Sequence, residues 1–261
     1  ALPKDLEQLG PWKSHIDALH TEMRAHLYGR ALPVRFRDWA PSTNPEERFD
    51  GYLSRRKTLG EKETTAVVKI GRHLGESATA QLLFGDLLKA HELASGLLAG
   101  TTPLPQQLGD ISTVIVDEVQ DLTLIEALVL FLLAAKAAET TGARPGFHLA
   151  GDEGQTVCAT DFEWGEVKDL LTHQFSPPKE FDLPGNLRSP RTLTHVINNT
   201  WLLYKAIDKD QRPKGYAEAE VAESTSGSVL WVSTEGNTIE LIRMVRAMPD
   251  AAVIYPDNVI P

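Results

Sequence analysis

The strongest constraint on the fold of this chain is an apolar, β-branched run that ends in two adjacent acids. Residues 113–116 (Thr-Val-Ile-Val) have the composition of a buried strand, and Asp117 and Glu118 follow at once. In open α/β sheets, ligands bind at the carboxyl ends of the strands. A carboxylate pair at such an end can hold Mg²⁺ through one residue and position or deprotonate a water through the other. We therefore expect a site for phosphate chemistry at this strand end.

The chain after residue 110 alternates short apolar strands with helices, which predicts a parallel, doubly wound sheet. The predicted strands cover residues 111–116, 147–150, 180–183, 228–233 and 251–255. The predicted helices cover residues 124–138, 166–173, 189–205 and 238–247.

The first 110 residues show helical periodicity and little strand pattern. Helices are predicted over residues 12–28, 61–72 and 77–99, with Ser77 as the N-cap of the last. Residues 30–50, rich in proline and polar side chains, predict a connector. The segment 100–109 contains two prolines and indicates a linker, so we place a domain boundary near it.

The net charge of −10 is unevenly placed along the chain. Residues 1–110 carry 14 basic and 14 acidic side chains, whereas residues 111–261 carry 12 and 22. Phosphate-backbone binding usually shows as a basic patch, and the only basic triplet is residues 55–57 (Arg-Arg-Lys). We interpret this triplet as a solvated surface segment, with phosphate contact as the alternative. The charge argues mildly against tight nucleic-acid binding by this chain alone.

The single cysteine, Cys158, excludes an internal disulfide framework and is typical of a reducing compartment. The longest apolar run, residues 127–135, is too short to span a bilayer and predicts a buried helix. We therefore expect a cytoplasmic protein with no membrane partner.

Two segments downstream of the acidic pair suit the same chemistry. Gly151 and Gly154 permit a tight turn that holds the Gln155 amide, which can donate to a phosphate oxygen and accept from a water. Arg188 stands just before a predicted helix, where its guanidinium can fork onto a terminal phosphate.

Together these segments resemble motifs II, III and IV of UvrD/Rep-type superfamily 1 helicases. Residues 117–123 (Asp-Glu-Val-Gln-Asp-Leu-Thr) match motif II almost letter for letter. The resemblance implies ATP and Mg²⁺ as cofactors, with Asp117 helping to hold Mg²⁺ and Glu118 acting as general base. It also implies that Gln155 and Arg188 contact the terminal phosphate, and that Gln120 and Asp121 couple this site to its neighbours.

The resemblance also implies a fold and a domain order. The expected fold class is α/β, a P-loop NTPase (RecA-like) parallel sheet with helices on both faces, preceded by a mainly helical region. Residues 1–105 would be that helical region, by position the 1B-type insertion. Residues 106–205 would be the second half of the first RecA-like domain, and residues 206–261 the start of the second.

Relatives in this family carry an aromatic residue soon after motif III that stacks on a base of a single strand. Trp164 is the first candidate here and Phe162 the second, with a place in the core as the alternative. We therefore expect single-stranded DNA or RNA as a partner, and ATP-driven translocation along it as the function.

The phosphate-binding loop that precedes these motifs in the family is missing. No Gly-x-x-x-x-Gly-Lys-[Ser/Thr] run occurs in the 261 residues, and the family's late motifs are also absent. Leu187 replaces an aromatic residue of motif IV, so stacking on adenine would be lost. We expect a piece of a larger ATP-dependent helicase, inactive alone, whose partners are the missing N- and C-terminal parts of the same protein.

Two other classes of protein remain open. A scaffold that binds nucleic acid or protein without hydrolysis is favoured by the missing loop and by Leu187. A metal-dependent nuclease would use Asp152 together with Glu166 and Lys168, although a Glu-x-Lys pair is common on helix surfaces.

Overall fold

The computed structural model describes residues 10–12, 14–30, 32–34, 38–56, 59–75, 77–109, 111, 113–142, 144–156, 158, 160–183, 185–186, 189–206, 220–221, 243 and 247. The described residues up to Asp182 form one compact unit, and those from Leu183 onward belong to a second. Each unit is described by itself.

The N-terminal part of the first unit is built from helices. They are α1 (Ile16–Glu22), which continues as a π-helical segment (Met23–Tyr28), then α2 (Pro45–Arg55), α3 (Glu61–Leu74) and α4 (Ala78–Ala99). Helix α2 begins where the Asn44 side chain accepts a hydrogen bond from the Glu46 N–H, with Pro45 in the first turn. The predicted cap of α4 is confirmed, since the Ser77 hydroxyl accepts from the Ala80 N–H at 3.3 Å.

Helix α5 (Leu124–Thr141) lies at the centre of the core and packs along α4. A capping box starts it, in which the Glu126 carboxylate accepts from the backbone N–H of Thr123 at 2.9 Å. Ile125, Leu128 and Phe131 of α5 are each no more than 1% exposed. Burying each of these side chains contributes about 1.5–3 kcal/mol, so the α4–α5 pair is the main source of stability.

The helical region is joined to the start of α5 at Gly29. The Ile125 N–H donates to the Gly29 carbonyl at 3.0 Å. A Cβ on Gly29 would lie 2.6 Å from the Arg24 carbonyl oxygen and 2.8 Å from the Thr123 methyl, so only glycine permits this approach.

His91 of α4 is buried and cross-links two segments of the helical region. Its Nδ1 accepts from the Ser42 N–H at 3.0 Å, and its Nε2 lies 2.9 Å from the Tyr28 carbonyl oxygen. This carbonyl can only accept, so the ring is neutral with its proton on Nε2. Burial lowers the pKa of His91 from 6.5 to about 4, against the opposing hydrogen bond to Tyr28.

The depressed pKa of His91 predicts acid sensitivity. Between pH 6.5 and about 4 the unfolded chain binds a proton at His91 that the folded chain does not, so stability falls as the pH is lowered through this window. The slope from this residue is about 1.4 kcal/mol per pH unit. Urea unfolding of wild type and His91→Gln from pH 7 to pH 4 measures it. Parallel curves for the two proteins would contradict the assignment.

The described strands form pairs only. Strands β1 (Leu32–Val34) and β2 (Asp38–Ala40) are antiparallel, whereas β3 (Thr113–Val116) and β4 (Gly146–Leu149) are parallel. The register of the parallel pair runs from Thr113 opposite Gly146 to Val116 opposite Leu149. Helix α6 (Trp164–Gln174) completes the first unit by packing on α5. The second unit holds the parallel pair β5 (Gly185–Asn186) and β6 (Glu220–Val221) with helix α7 (Arg191–Ala206).

The expected fold class, a RecA-like parallel sheet with helices on both faces, is wrong. The described residues are mainly helical, and no sheet among them has more than two strands. The physical reason is that α5 buries its apolar surface largely against other helices. Strand β3 is not covered on both faces, since Ile115 at its centre is 77% exposed.

Two local predictions are also corrected. The connector predicted over residues 30–50 contains β1, β2 and the first turns of α2. Residues 180–183, predicted as a strand, are irregular, and Phe181 and Leu183 are 84% and 93% exposed. The strands predicted at 228–233 and 251–255 lie outside the described residues, as does almost all of the helix predicted at 238–247. The three-part domain division stays a prediction.

Within the described ranges, none of the helices combines the length and the hydrophobicity needed to cross a membrane.

Candidate functional site

The parallel pairing of β3 and β4 brings two of the predicted motifs together. Asp117 and Glu118 follow the end of β3, and the turn that starts at Gly151 follows the end of β4. Two backbone hydrogen bonds of 2.9 Å extend the pairing beyond the strands, from the Ala150 N–H to the Val116 carbonyl and from the Val119 N–H to the Ala150 carbonyl. The acidic pair and the Gln155 turn therefore leave the same edge of the sheet.

Glu118 has a left-handed backbone, with φ 53° and ψ 45°. For a residue other than glycine this conformation costs on the order of 1 kcal/mol and is found mainly at functional sites. The Asp117 carboxylate accepts from the Glu118 N–H at 3.0 Å and stabilises the turn. Both side chains are exposed, so the turn presents two carboxylates to solvent.

Gln120 is buried and joins the two turns. Its Nε2 donates to Glu118 Oε2 at 2.6 Å, and its Oε1 accepts from the backbone N–H of Asp152 at 3.1 Å. The backbone carbonyl oxygen of Gln120 accepts a hydrogen bond from the buried hydroxyl of Thr160 at 2.6 Å. A 2% exposed side chain thus fixes Glu118 relative to the Asp152 turn.

Gly151 is the position where these parts approach most closely. A Cβ there would lie 2.4 Å from Gln120 Oε1 and 2.9 Å from Val119 Cγ1. The sequence predicts Gly151 to be a turn residue. The structure shows that Gly151 also leaves room for the Gln120 amide.

Gln155 is exposed and held by the turn that it ends. The Asp152 carboxylate accepts from the Gly154 N–H and from Gln155 Nε2, both at 2.8 Å. The Gln155 amide therefore already has an oriented donor contact before any ligand binds.

The two candidate stacking residues lie side by side. Phe162 and Trp164 are both half-buried and meet edge to face, with ring centroids 5.1 Å apart. Phe162 packs against the core, and Trp164 is the first residue of α6. The Trp164 backbone N–H donates to the Glu153 carboxylate, which ties the aromatic pair to the Gln155 turn. No sequence pattern predicts this role for Glu153.

Arg188, the third predicted phosphate-binding residue, lies outside the described residues, as does Leu187. Their roles stay predictions.

Each of the residues expected for a nuclease interacts with a different residue of the protein. Glu166 pairs with Arg30, Lys168 pairs with Glu180 at 2.9 Å, and the Asp152 carboxylate accepts a hydrogen bond from Gln155 Nε2. These contacts give no support to that alternative.

The donor set at this edge suits Mg²⁺ only in company with a phosphate ligand. Among the described residues, no three His, Cys, Asp or Glu side chains converge to hold a metal. Mg²⁺ is usually bound by one or two carboxylates together with substrate phosphates, and an exposed Asp117 beside Glu118 fits that pattern.

Comparison of the chain with known proteins found no matching family model, no matching curated protein and no matching solved structure. The function is therefore inferred from the residues and their geometry.

Gly151→Ala should displace the Gln120 amide and break its bond to Asp152. We expect a loss of about 1–3 kcal/mol in the free energy of unfolding, as for a buried polar group left unpaired. Urea denaturation measures it. The matched control is Gly165→Ala in α6, where an added Cβ meets nothing within 4 Å. Equal stability of the two variants would contradict the close approach at Gly151.

Proposed function

We propose that this chain supplies the acidic, water-activating part of a Mg²⁺-dependent ATP hydrolysis site in a longer, helicase-like ATPase that moves along single-stranded DNA or RNA. The observation that supports this most is the Gln120 side chain, which joins the Glu118 turn to the turn that presents Gln155. Two segments chosen from sequence alone thereby meet at one sheet edge.

Each residue has a distinct role in this proposal. Asp117 helps to hold Mg²⁺, which when bound neutralises charge on the phosphates. Gln120 donates to one oxygen of Glu118, so that the carboxylate is oriented to accept a proton from the attacking water. The Gln155 amide turns from Asp152 to the terminal phosphate, and Arg188 contributes a second donor to that phosphate.

The aromatic pair supplies the connection to a strand. Glu153 lies in the same turn as Gln155 and accepts from the Trp164 backbone. A change at the terminal phosphate therefore has a short covalent and hydrogen-bonded path to the ring that would stack on a base.

The proposal assigns the remaining parts of the site to other segments of the same protein. These are the phosphate-binding loop with its lysine and the late motifs. The compartment is proposed to be the cytoplasm, since the one cysteine, Cys158, is a free and exposed thiol.

A scaffold that binds without hydrolysis is the second candidate, favoured by the missing phosphate loop. It predicts binding of nucleotide or strand without turnover.

Glu118→Gln in the full-length protein should preserve ATP binding and lower the turnover number by about 10²–10⁴-fold, the usual contribution of a general base. The matched control is Glu139→Gln, which removes an exposed charge that pairs with Lys136 on α5. Steady-state ATPase kinetics with a separate nucleotide-binding titration measure both. Wild-type turnover in Glu118→Gln would refute the role as base, and absent turnover in every variant would favour the scaffold.

Trp164→Ala should weaken single-strand binding by about tenfold or more, because stacking on an indole stabilises by about 1–3 kcal/mol per base. Fluorescence anisotropy of a labelled oligonucleotide measures the affinity, and a thermal melt shows whether the variant is folded. An unchanged affinity would place Trp164 in the core alone.

A further inference from the structure

A cavity of about 450 Å³ lies in the first unit, where the end of α2 meets the π-helical segment and the loop before α6. We call it the Arg55 pocket. Its lining residues are His26, Arg30, Tyr52, Arg55, Arg56, Asp161, Phe162 and Glu163. A volume of this size falls within the range of small-molecule and cofactor sites, which is roughly 300–1,000 Å³.

Most of the charged groups around the pocket are paired with one another. The buried Glu22 carboxylate accepts from Arg56 Nε and from the Tyr52 hydroxyl, both at 2.8 Å. Asp161 accepts from His26 Nδ1 at 2.9 Å and lies 3.5 Å from Arg30, which also pairs with Glu166. Two of the three lining arginines therefore have carboxylate partners within the protein.

Arg55 is the exception. In the described part of the chain, no carboxylate lies within 4.0 Å of its guanidinium, and no hydrogen bond to that group is formed. The side chain is half-buried, and burial together with the nearby Arg30 lowers the pKa of Arg55 to about 10, so it remains charged at neutral pH. A guanidinium carries five N–H donors, and those of Arg55 reach the open cavity without a carboxylate within ion-pair distance among the described residues, so they are available to an anionic ligand.

The shape and chemistry of the pocket narrow the ligand. A planar guanidinium fork suits a phosphate better than a point-charge anion. The half-buried ring of Phe162 supplies an apolar wall for a base. The lining of the pocket thus combines a cationic group with a flat apolar ring.

We propose that the Arg55 pocket binds one nucleotide unit, with its phosphate on the Arg55 guanidinium and its base against Phe162. The source of that unit is a single-stranded nucleic acid, a choice that rests on the proposed function. The basic triplet at residues 55–57 then includes a phosphate contact and is not only a solvated surface segment.

The test is binding of a fluorescein-labelled twelve-nucleotide oligothymidylate to the 261-residue chain, measured by anisotropy at several salt concentrations. Arg55→Ala should weaken binding by about tenfold or more and reduce the slope of log affinity against log salt by about 0.7, the value for one lost single-strand phosphate contact. Arg72→Ala is the charge-matched control, because Arg72 is exposed and pairs with Glu46 on the surface. It should bind like wild type.

A second arm uses adenosine monophosphate in calorimetry. One outcome is that wild type binds the mononucleotide but not the oligonucleotide, and that Arg55→Ala loses the mononucleotide binding. This result would support a nucleoside phosphate as the ligand of the pocket and would overturn the single strand as its source. Arg55→Gln, which keeps a polar side chain with the same methylene stem up to Cγ but removes the charge, replaces Arg55→Ala if the latter melts at a lower temperature than wild type. Equal affinities of the Arg55 and Arg72 variants for both ligands, or no binding of either ligand to wild type, would overturn the pocket as a nucleotide site.

The outcome is separable from that of the proposed ATPase function. The oligonucleotide test uses no ATP, and Glu118 does not line the pocket. A failed ATPase test with an intact Arg55 effect leaves the pocket standing, and the reverse result removes the pocket alone.

Discussion

The candidate site depends on the buried amide of Gln120. Parallel pairing of β3 and β4 brings two turns to one edge, but backbone pairing alone does not fix the side chains that follow the strands. Gln120 does so, because it donates to Glu118 and accepts from the Asp152 backbone. Its position also explains the requirement for glycine at position 151. A buried amide with only one of these two hydrogen bonds would destabilise the fold more than an apolar residue would. Both contacts are therefore needed for Gln120 to stabilise this edge.

The helical region supports this edge and does not merely precede it. Helix α5 starts directly after the motif that contains Gln120, and its second residue, Ile125, donates to Gly29 at the end of the π-helical segment. That segment contributes His26 to the Arg55 pocket, and Arg30 follows it. Thr160, which donates to the Gln120 backbone carbonyl, directly precedes Asp161 of the pocket, so one loop contacts both the acidic turn and the Arg55 pocket.

Sequence patterns predict the individual helices and strands more accurately than they predict how these elements are arranged. Ser77 predicts the start of α4, and the β-branched run before Asp117 predicts β3, because helix caps and strand composition depend on only a few neighbouring residues. The prediction of an extended sheet is wrong because α5 is apolar on most of its circumference. Periodicity in such a sequence does not show whether a sheet or other helices cover the helix. The Arg55 pocket was not foreseen, since its walls come from segments more than 100 residues apart in sequence, such as Arg55 and Asp161. The acidic pair and the turn that ends at Gln155 are predicted from the sequence because each comes shortly after a strand.

Amide hydrogen exchange by NMR tests the central role of Gln120 most directly. The Asp152 amide proton belongs to an exposed residue, and its described partner is Gln120 Oε1. We expect this proton to be protected in wild type and to exchange like an open amide in Gln120→Ala. The Ala150 amide, bonded to Val116, should stay protected in both proteins. Fast exchange of the Asp152 amide in wild type, or unchanged protection in Gln120→Ala, would show that Gln120 does not join the two turns.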